Sequence, residues 1–231
     1  MFSVALIGPD GSGKTTVAER LRESLPLPTK YVYMGVNHEA GNHLLPKTRF
    51  MQTWWRVMGK QRNAGGPREK NGAAVVPERG MITRTLKTVK SSLSVLNRFA
   101  EEWYRQGIAW YYMRKHCVVI FDRHFFPDYY AYDIDKHTKR TTLQRLHGYM
   151  LNHFYPRPDL LVYLDAPAEI LFQRKGEGTL ELLEQRRNDY LEMRVMVKHL
   201  EIVDASRRLE EVVQDVSQRI TNFYQQRNCK S

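Results

Sequence analysis

The 231-residue chain predicts an α/β domain of three layers, with helices on both faces of a five-stranded parallel sheet. Two observations carry this. Short runs rich in valine, isoleucine and leucine alternate with stretches in which apolar residues recur at helical spacing. The first apolar run also ends in a glycine-rich turn that opens a helix, so strand passes to helix in the order that a parallel sheet requires. The length suits one domain over residues 1–231, carrying a long insertion.

Residues 2–7 read as a buried strand, since they are almost wholly apolar and stop at Gly8. Residues 15–25 place Val17, Ala18, Leu21 and Leu25 on one helical face, and Pro26 and Pro28 end the helix. Residues 31–34 form a second strand candidate closed by Gly35. Residues from about 36 to 92 read as irregular, with a Gly/Pro/Asn-rich loop over residues 63–72. A helix follows over residues 93–115, marked by Leu96, Phe99, Trp103, Ile108, Tyr111 and Tyr112. Residues 117–121 and 159–164 are the third and fourth strands, and residues 200–203 the fifth. Helices are expected at 168–174, 179–197 and 209–224.

Composition narrows the function classes. A hydrophobic share of 42% supports a real core, and 26% charged residues with no long apolar run exclude a membrane-spanning helix. The first residues lack a basic flank and run straight into a motif, so they do not read as a signal peptide. Cys117 and Cys229 are too few for a disulfide framework, which makes a reducing cytoplasm the expected compartment. The eight histidines show no metal-ligand spacing. The net charge is +11, and residues 46–98 carry twelve basic residues against two acidic ones. The basicity therefore belongs to one segment and not to the whole chain.

The chemistry begins at Gly8, Pro9, Asp10, Gly11, Ser12, Gly13, Lys14 and Thr15, which fit G-x-x-x-x-G-K-[ST] in full. This is a P-loop, and it predicts a P-loop NTPase fold. Glycines let consecutive N–H groups converge on one anion, and the helix that follows adds its dipole. Lys14 is placed to reach the β- and γ-phosphates of ATP, and the Thr15 hydroxyl to ligate Mg²⁺. The second signal is the apolar run of residues 118–121 ending in Asp122, Arg123 and His124. In open α/β sheets ligands bind beyond the carboxyl ends of strands, where this run delivers a carboxylate and a guanidinium. Asp122 is suited to hold Mg²⁺ or its water, or to take a proton from the acceptor; Arg123 is suited to neutralise a phosphoryl group. A plain structural ion pair at a strand end is the competing reading.

Together these two motifs resemble the thymidylate kinase family of nucleoside monophosphate kinases. Residues 156–165, Pro-Arg-Pro-Asp followed by a buried run to Asp165, are similar to that family's fourth strand. Arg174, Lys175 and the helix over residues 180–191 resemble its basic lid, here residues 174–191. Val203 to Ser206 with Leu209 to Val212 resemble its last strand and adenine-side loop. The resemblance covers residues 1–34 and about 93–224. It implies that Gly8, Gly11, Ser12, Gly13, Lys14, Thr15 and Thr16 bind ATP phosphates and Mg²⁺, with Ser206 on the adenine side. It further implies that Asp10 faces the acceptor while Asp122 and Arg123 act at the transferred phosphoryl group. Some members carry a catalytic arginine inside the P-loop. Gly11 and Ser12 offer none, which leaves Arg174, Arg186 or Arg187 of the lid.

The acceptor side departs from the family. Its Arg-Glu-Pro-Gly-like motif after the second strand is replaced by Met34, Gly35, Val36 and Asn37, and Arg98 and Arg105 bracket the place of its acceptor-site arginine. The expected activity is transfer of the ATP γ-phosphoryl to a nucleoside monophosphate or another small phosphate-bearing acceptor. A kinase of a non-nucleotide or polynucleotide acceptor stays open. So does an ATP-responsive binding module with little turnover, docking to a membrane surface or nucleic acid through residues 46–98. That basic segment, read as a 36–92 acceptor-side insertion and its flank, mixes Trp54, Trp55 and Arg56 in a run equally compatible with an ordinary half-buried helix. The cluster Asp128, Tyr129, Tyr130, Tyr132 and Asp133 suits either an acceptor pocket or a helix cap. A homodimer also stays open.

Overall fold

Five short apolar segments assemble into the sheet because each is flanked by a turn and a helix that return the chain to the same edge. The computed structural model describes residues 1–34, 81–124, 142–192 and 198–229. Strands β1 (Ser3–Ile7), β2 (Thr29–Tyr33), β3 (Val118–Asp122), β4 (Leu160–Asp165) and β5 (Leu200–Asp204) pair in the order β2-β3-β1-β4-β5, all parallel. The helices are α1 (Lys14–Ser24), α2 (Met81–Arg114), α3 (Thr142–His153), α4 (Ala168–Lys175), α5 (Leu180–Glu192) and α6 (Leu209–Asn228). The fold is the α/β parallel-sheet architecture that the sequence predicts, consistent with a P-loop fold.

Alternation along each strand splits the core in two. Phe2, Val4 and Leu6 pack with Val118 and Ile120 against Val17 and Leu21 of α1 and Val212, Val216 and Ile220 of α6. Ala5 and Ile7 point the other way, with Val119 and Phe121, toward Ala109 of α2, Tyr155 and Tyr190. Because successive residues face opposite sides, one apolar strand feeds both layers. Every residue of β1 is buried, and each large aliphatic side chain taken from water contributes about 1.5–3 kcal/mol.

Two helices differ from the expectation. Residues 81–92, read as irregular, form the first turns of the 34-residue helix α2. The signal was present: Ile82, Leu86, Val89, Leu93 and Leu96 alternate by four and three residues, a helical period that interleaved basic and hydroxyl residues obscure. Helix α3 was not anticipated, although Leu143, Leu146 and Met150 have the same spacing. The loop of residues 63–72, the Trp54/Trp55 run, the cluster at 128–133 and the last turns expected at 193–197 lie outside the described residues. Among the described residues, no helix is long and apolar enough to cross a membrane.

Candidate active site

The carboxyl ends of β1, β3, β4 and β5 deliver the candidate residues to one edge of the sheet. The loop from Gly8 leaves β1 and enters α1 at Lys14, so the amino-terminal N–H groups of α1 face the turn. Two of its glycines are fixed by close approach. Gly8 and Gly11 have φ of 151° and 90°. A Cβ on Gly8 would stand 2.6 Å from the Leu164 carbonyl oxygen, and one on Gly11 would stand 2.5 Å from that of Leu171. Gly11→Ala is expected to destabilise the fold by about 2–4 kcal/mol, through left-handed strain and a backbone clash that no rotamer relieves. Chemical denaturation at neutral pH reads this directly. A Cβ on Gly13, by contrast, would meet nothing within 4 Å.

Lys14 is buried, and its Nζ donates to the carbonyl oxygens of Gly8 and Pro9, both at 2.8 Å. The ammonium thus sits inside the curl of the loop. Ser12 is buried within the loop, whereas Thr15 is half-buried and Thr16 exposed at the start of α1.

Asp122 closes β3. It stands in register with Leu6 of β1 and Tyr33 of β2, and it continues the parity of Val118 and Ile120 toward the α1 face. Its carboxylate is fully buried. The Tyr31 hydroxyl donates to Oδ2 at 2.9 Å, and Oδ1 has no hydrogen-bond partner among the described residues. A buried carboxylate oxygen left in this condition is costly unless a cation or water satisfies it. The donor set also suits a hard cation: a carboxylate oxygen here and a threonine hydroxyl at the head of α1. These residues fit Mg²⁺, and the backbone amides at the head of α1 together with the Lys14 ammonium fit phosphate.

Arg123 adopts φ 64°, a left-handed conformation uncommon for a non-glycine residue, and donates to Asp10 Oδ1 at 2.9 Å. Two lid cations converge on the same carboxylate: Lys175 Nζ lies 3.5 Å from Oδ1, and an Arg186 guanidinium nitrogen lies 3.6 Å from Oδ2. Burial by itself would raise the Asp10 pKa, but Lys14, Arg123 and Lys175 outweigh it and hold the group down at about 2. Asp10 is therefore ionised at any working pH, and it gathers cations from β3, α4 and α5.

The other two lid arginines are turned elsewhere. Arg187 makes a bidentate pair with Asp165 at the end of β4, at 2.8 and 2.9 Å, and also donates to Glu184. Tyr163 adds its hydroxyl to Asp165 Oδ1 at 3.0 Å. The Arg187 hydrogen bond is the main reason that the Asp165 carboxyl is held below its ordinary range. Arg174 donates to the Ala205 carbonyl at 2.8 Å and so ties α4 to the loop after β5. In that loop the Ser206 hydroxyl and amide both donate to Asp204 Oδ1, which closes an Asx turn. The geometry thus brings Asp10, Lys14, Arg123, Lys175 and Arg186 together. It sets Arg187 on Asp165 and Arg174 with Ser206 at the neighbouring strand end.

Tyr31 belongs to no motif, and the strand-end Asp165 is visible in the sequence only as the end of its run. Each acts through a partner, Asp122 or Arg187, whose proximity depends on strand register or on the phase of a packed helix. No local pattern announces either contact.

No family model matches the chain. Among curated proteins, it is similar to a probable thymidylate kinase of Pyrococcus abyssi (strain GE5 / Orsay), with 33% identity over 112 residues, which is 45% of this chain and 52% of that protein. The chain thus spans about half the length of this curated relative, and the match marks a distant, kinase-like relationship.

Proposed function

We propose that the protein is an ATP-dependent phosphotransferase that moves the γ-phosphoryl group to a nucleoside monophosphate or another small phosphate-bearing acceptor. The observation that carries this reading is the placement of Lys14 inside a complete P-loop with the buried Asp122 carboxylate on the adjacent strand, in register with Leu6. The named relative, a probable thymidylate kinase, agrees with a nucleotide-handling activity.

In this reading, the backbone amides of residues 11–15 and the Lys14 ammonium hold the ATP phosphates. Thr15 and Asp122 would hold Mg²⁺, which when bound supplies charge neutralisation at the transferring phosphates. Arg123 and Arg186 hold the equatorial oxygens, and Asp10 keeps those guanidiniums in place beforehand. Catalysis is then positioning and electrostatics, with little reorganisation of the site. Arg174 and Ser206 line the side where the base would lie. The test is an ATP-consumption screen against nucleoside monophosphates, nucleosides, sugars and oligonucleotides. Stimulation confined to nucleoside monophosphates supports the reading. ATP turnover that no phosphate-bearing acceptor stimulates would exclude it.

The lid arginines give a sharper comparison. Arg186→Ala is expected to lower kcat by roughly 50-fold with little change in thermal stability, because Arg186 serves charge that builds up in the transition state. Arg187→Ala is expected to do the reverse. Losing a half-buried bidentate pair costs about 1–2 kcal/mol, or roughly 2–8 °C in Tm for a chain of this size, with kcat changed only a few-fold. Equal effects of the two variants on kcat would remove the distinction.

A further inference from the structure

We propose that Tyr31 is a positioning residue for Asp122, its hydroxyl occupying Oδ2 so that Oδ1 is the oxygen left to a divalent cation or its water. The inference rests on the phosphotransferase reading but concerns a residue to which neither the P-loop motif nor the resemblance gives a role.

The geometry is a product of sheet register. Tyr31 pairs with Ile120, two residues before Asp122, and both positions face α1. Two residues of strand span about 6.6 Å, close to the reach of a phenol from its Cα, so a tyrosine at this place delivers a hydroxyl to the carboxylate. The observed bond is 2.9 Å. A carboxylate at a strand end can rotate about its last bond and present either oxygen. With one oxygen held by a fixed donor and the other buried without a partner among the described residues, a single presentation is retained. Phenylalanine would fill nearly the same volume and lose only that hold.

The test uses the full chain and follows Mn²⁺ binding in the presence of ATP, by the paramagnetic signal of free Mn²⁺, for the wild type, Tyr31→Phe, Asp122→Asn and the double variant. Tyr31→Phe is expected to weaken Mn²⁺·ATP binding about fivefold, and ATP binding without metal less than twofold. Asp122→Asn is expected to weaken it more, and the double variant no more than Asp122→Asn alone, because Tyr31 acts only through Asp122. For transfer, Tyr31→Phe is expected to lower kcat about fivefold at saturating metal·ATP, with KM for metal·ATP raised in step with its binding constant. Wild-type metal affinity in Tyr31→Phe, or losses that multiply in the double variant, would overturn the proposal. So would an Asp122→Asn variant that binds Mn²⁺·ATP like the wild type. If the metal-binding coupling is found but no acceptor is phosphorylated, the positioning role stands and the phosphotransferase reading fails.

Discussion

Lys14→Ala is expected to reduce ATP-dependent phosphoryl transfer by about 10³-fold or more while the sheet stays folded. The ammonium sits within the curl of the loop, held there by the Gly8 and Pro9 carbonyls. Alanine removes the charge that the β- and γ-phosphates would meet, and a solvent ion does not replace it at a fixed position. It also leaves two carbonyl oxygens without their donor, so a loss of stability of about 1–3 kcal/mol is expected alongside, confined to the loop and the head of α1. Lys14→Arg is expected to fail as well, since a planar five-donor fork does not fit a curl closed around a point charge. The measurement is kcat in a coupled ATP assay beside a circular-dichroism melt. A folded Lys14→Ala protein with wild-type kcat would remove Lys14 from the site.

Asp122→Asn is expected to lower kcat by about 10²-fold, a larger factor than its loss of metal·ATP affinity. The substitution keeps size and shape, and the asparagine carbonyl oxygen still accepts from Tyr31, so the fold survives. What is lost is the negative charge, which matters most as charge is redistributed in the transition state. Metal positioning and proton acceptance both predict this split. They separate on titration with Mg²⁺: a metal role raises the concentration needed for half-maximal rate, whereas a proton-accepting role leaves it unchanged. A collapse of ATP affinity at constant kcat would contradict both.

The fold was largely legible in the sequence because its central strands β1, β3 and β4 are near-continuous apolar runs, and such runs have few other uses in a chain of this composition. The 81–92 portion of α2 was not legible. Its apolar positions are spread thinly among Arg84, Lys87, Lys90 and several serines and threonines, and their period shows only over four turns. Helix α3 escaped because it is short and its apolar positions, Leu143, Leu146 and Met150, are few. Within the candidate site the P-loop and the Asp122–Arg123 pair were read directly, but the partners of the lid arginines were not.

That division has a physical origin. The P-loop is a property of eight contiguous residues. Glycines at 8, 11 and 13 set the backbone, and the lysine and threonine stand at the head of the helix that the backbone then enters, so their relative placement follows from local geometry alone. Strand-end Asp122 is nearly as local, since the buried run before it fixes where the strand stops. Arg186 and Arg187 are adjacent in sequence and chemically identical, yet they differ by about 100° around α5. One reaches Asp10, the other Asp165, and only the packing of Leu183 and Tyr190 against the sheet sets the phase that separates them. Tyr31 meets Asp122 across 91 residues because β2 and β3 pair in one register; a slip by a single residue would send the hydroxyl to the opposite face of the sheet.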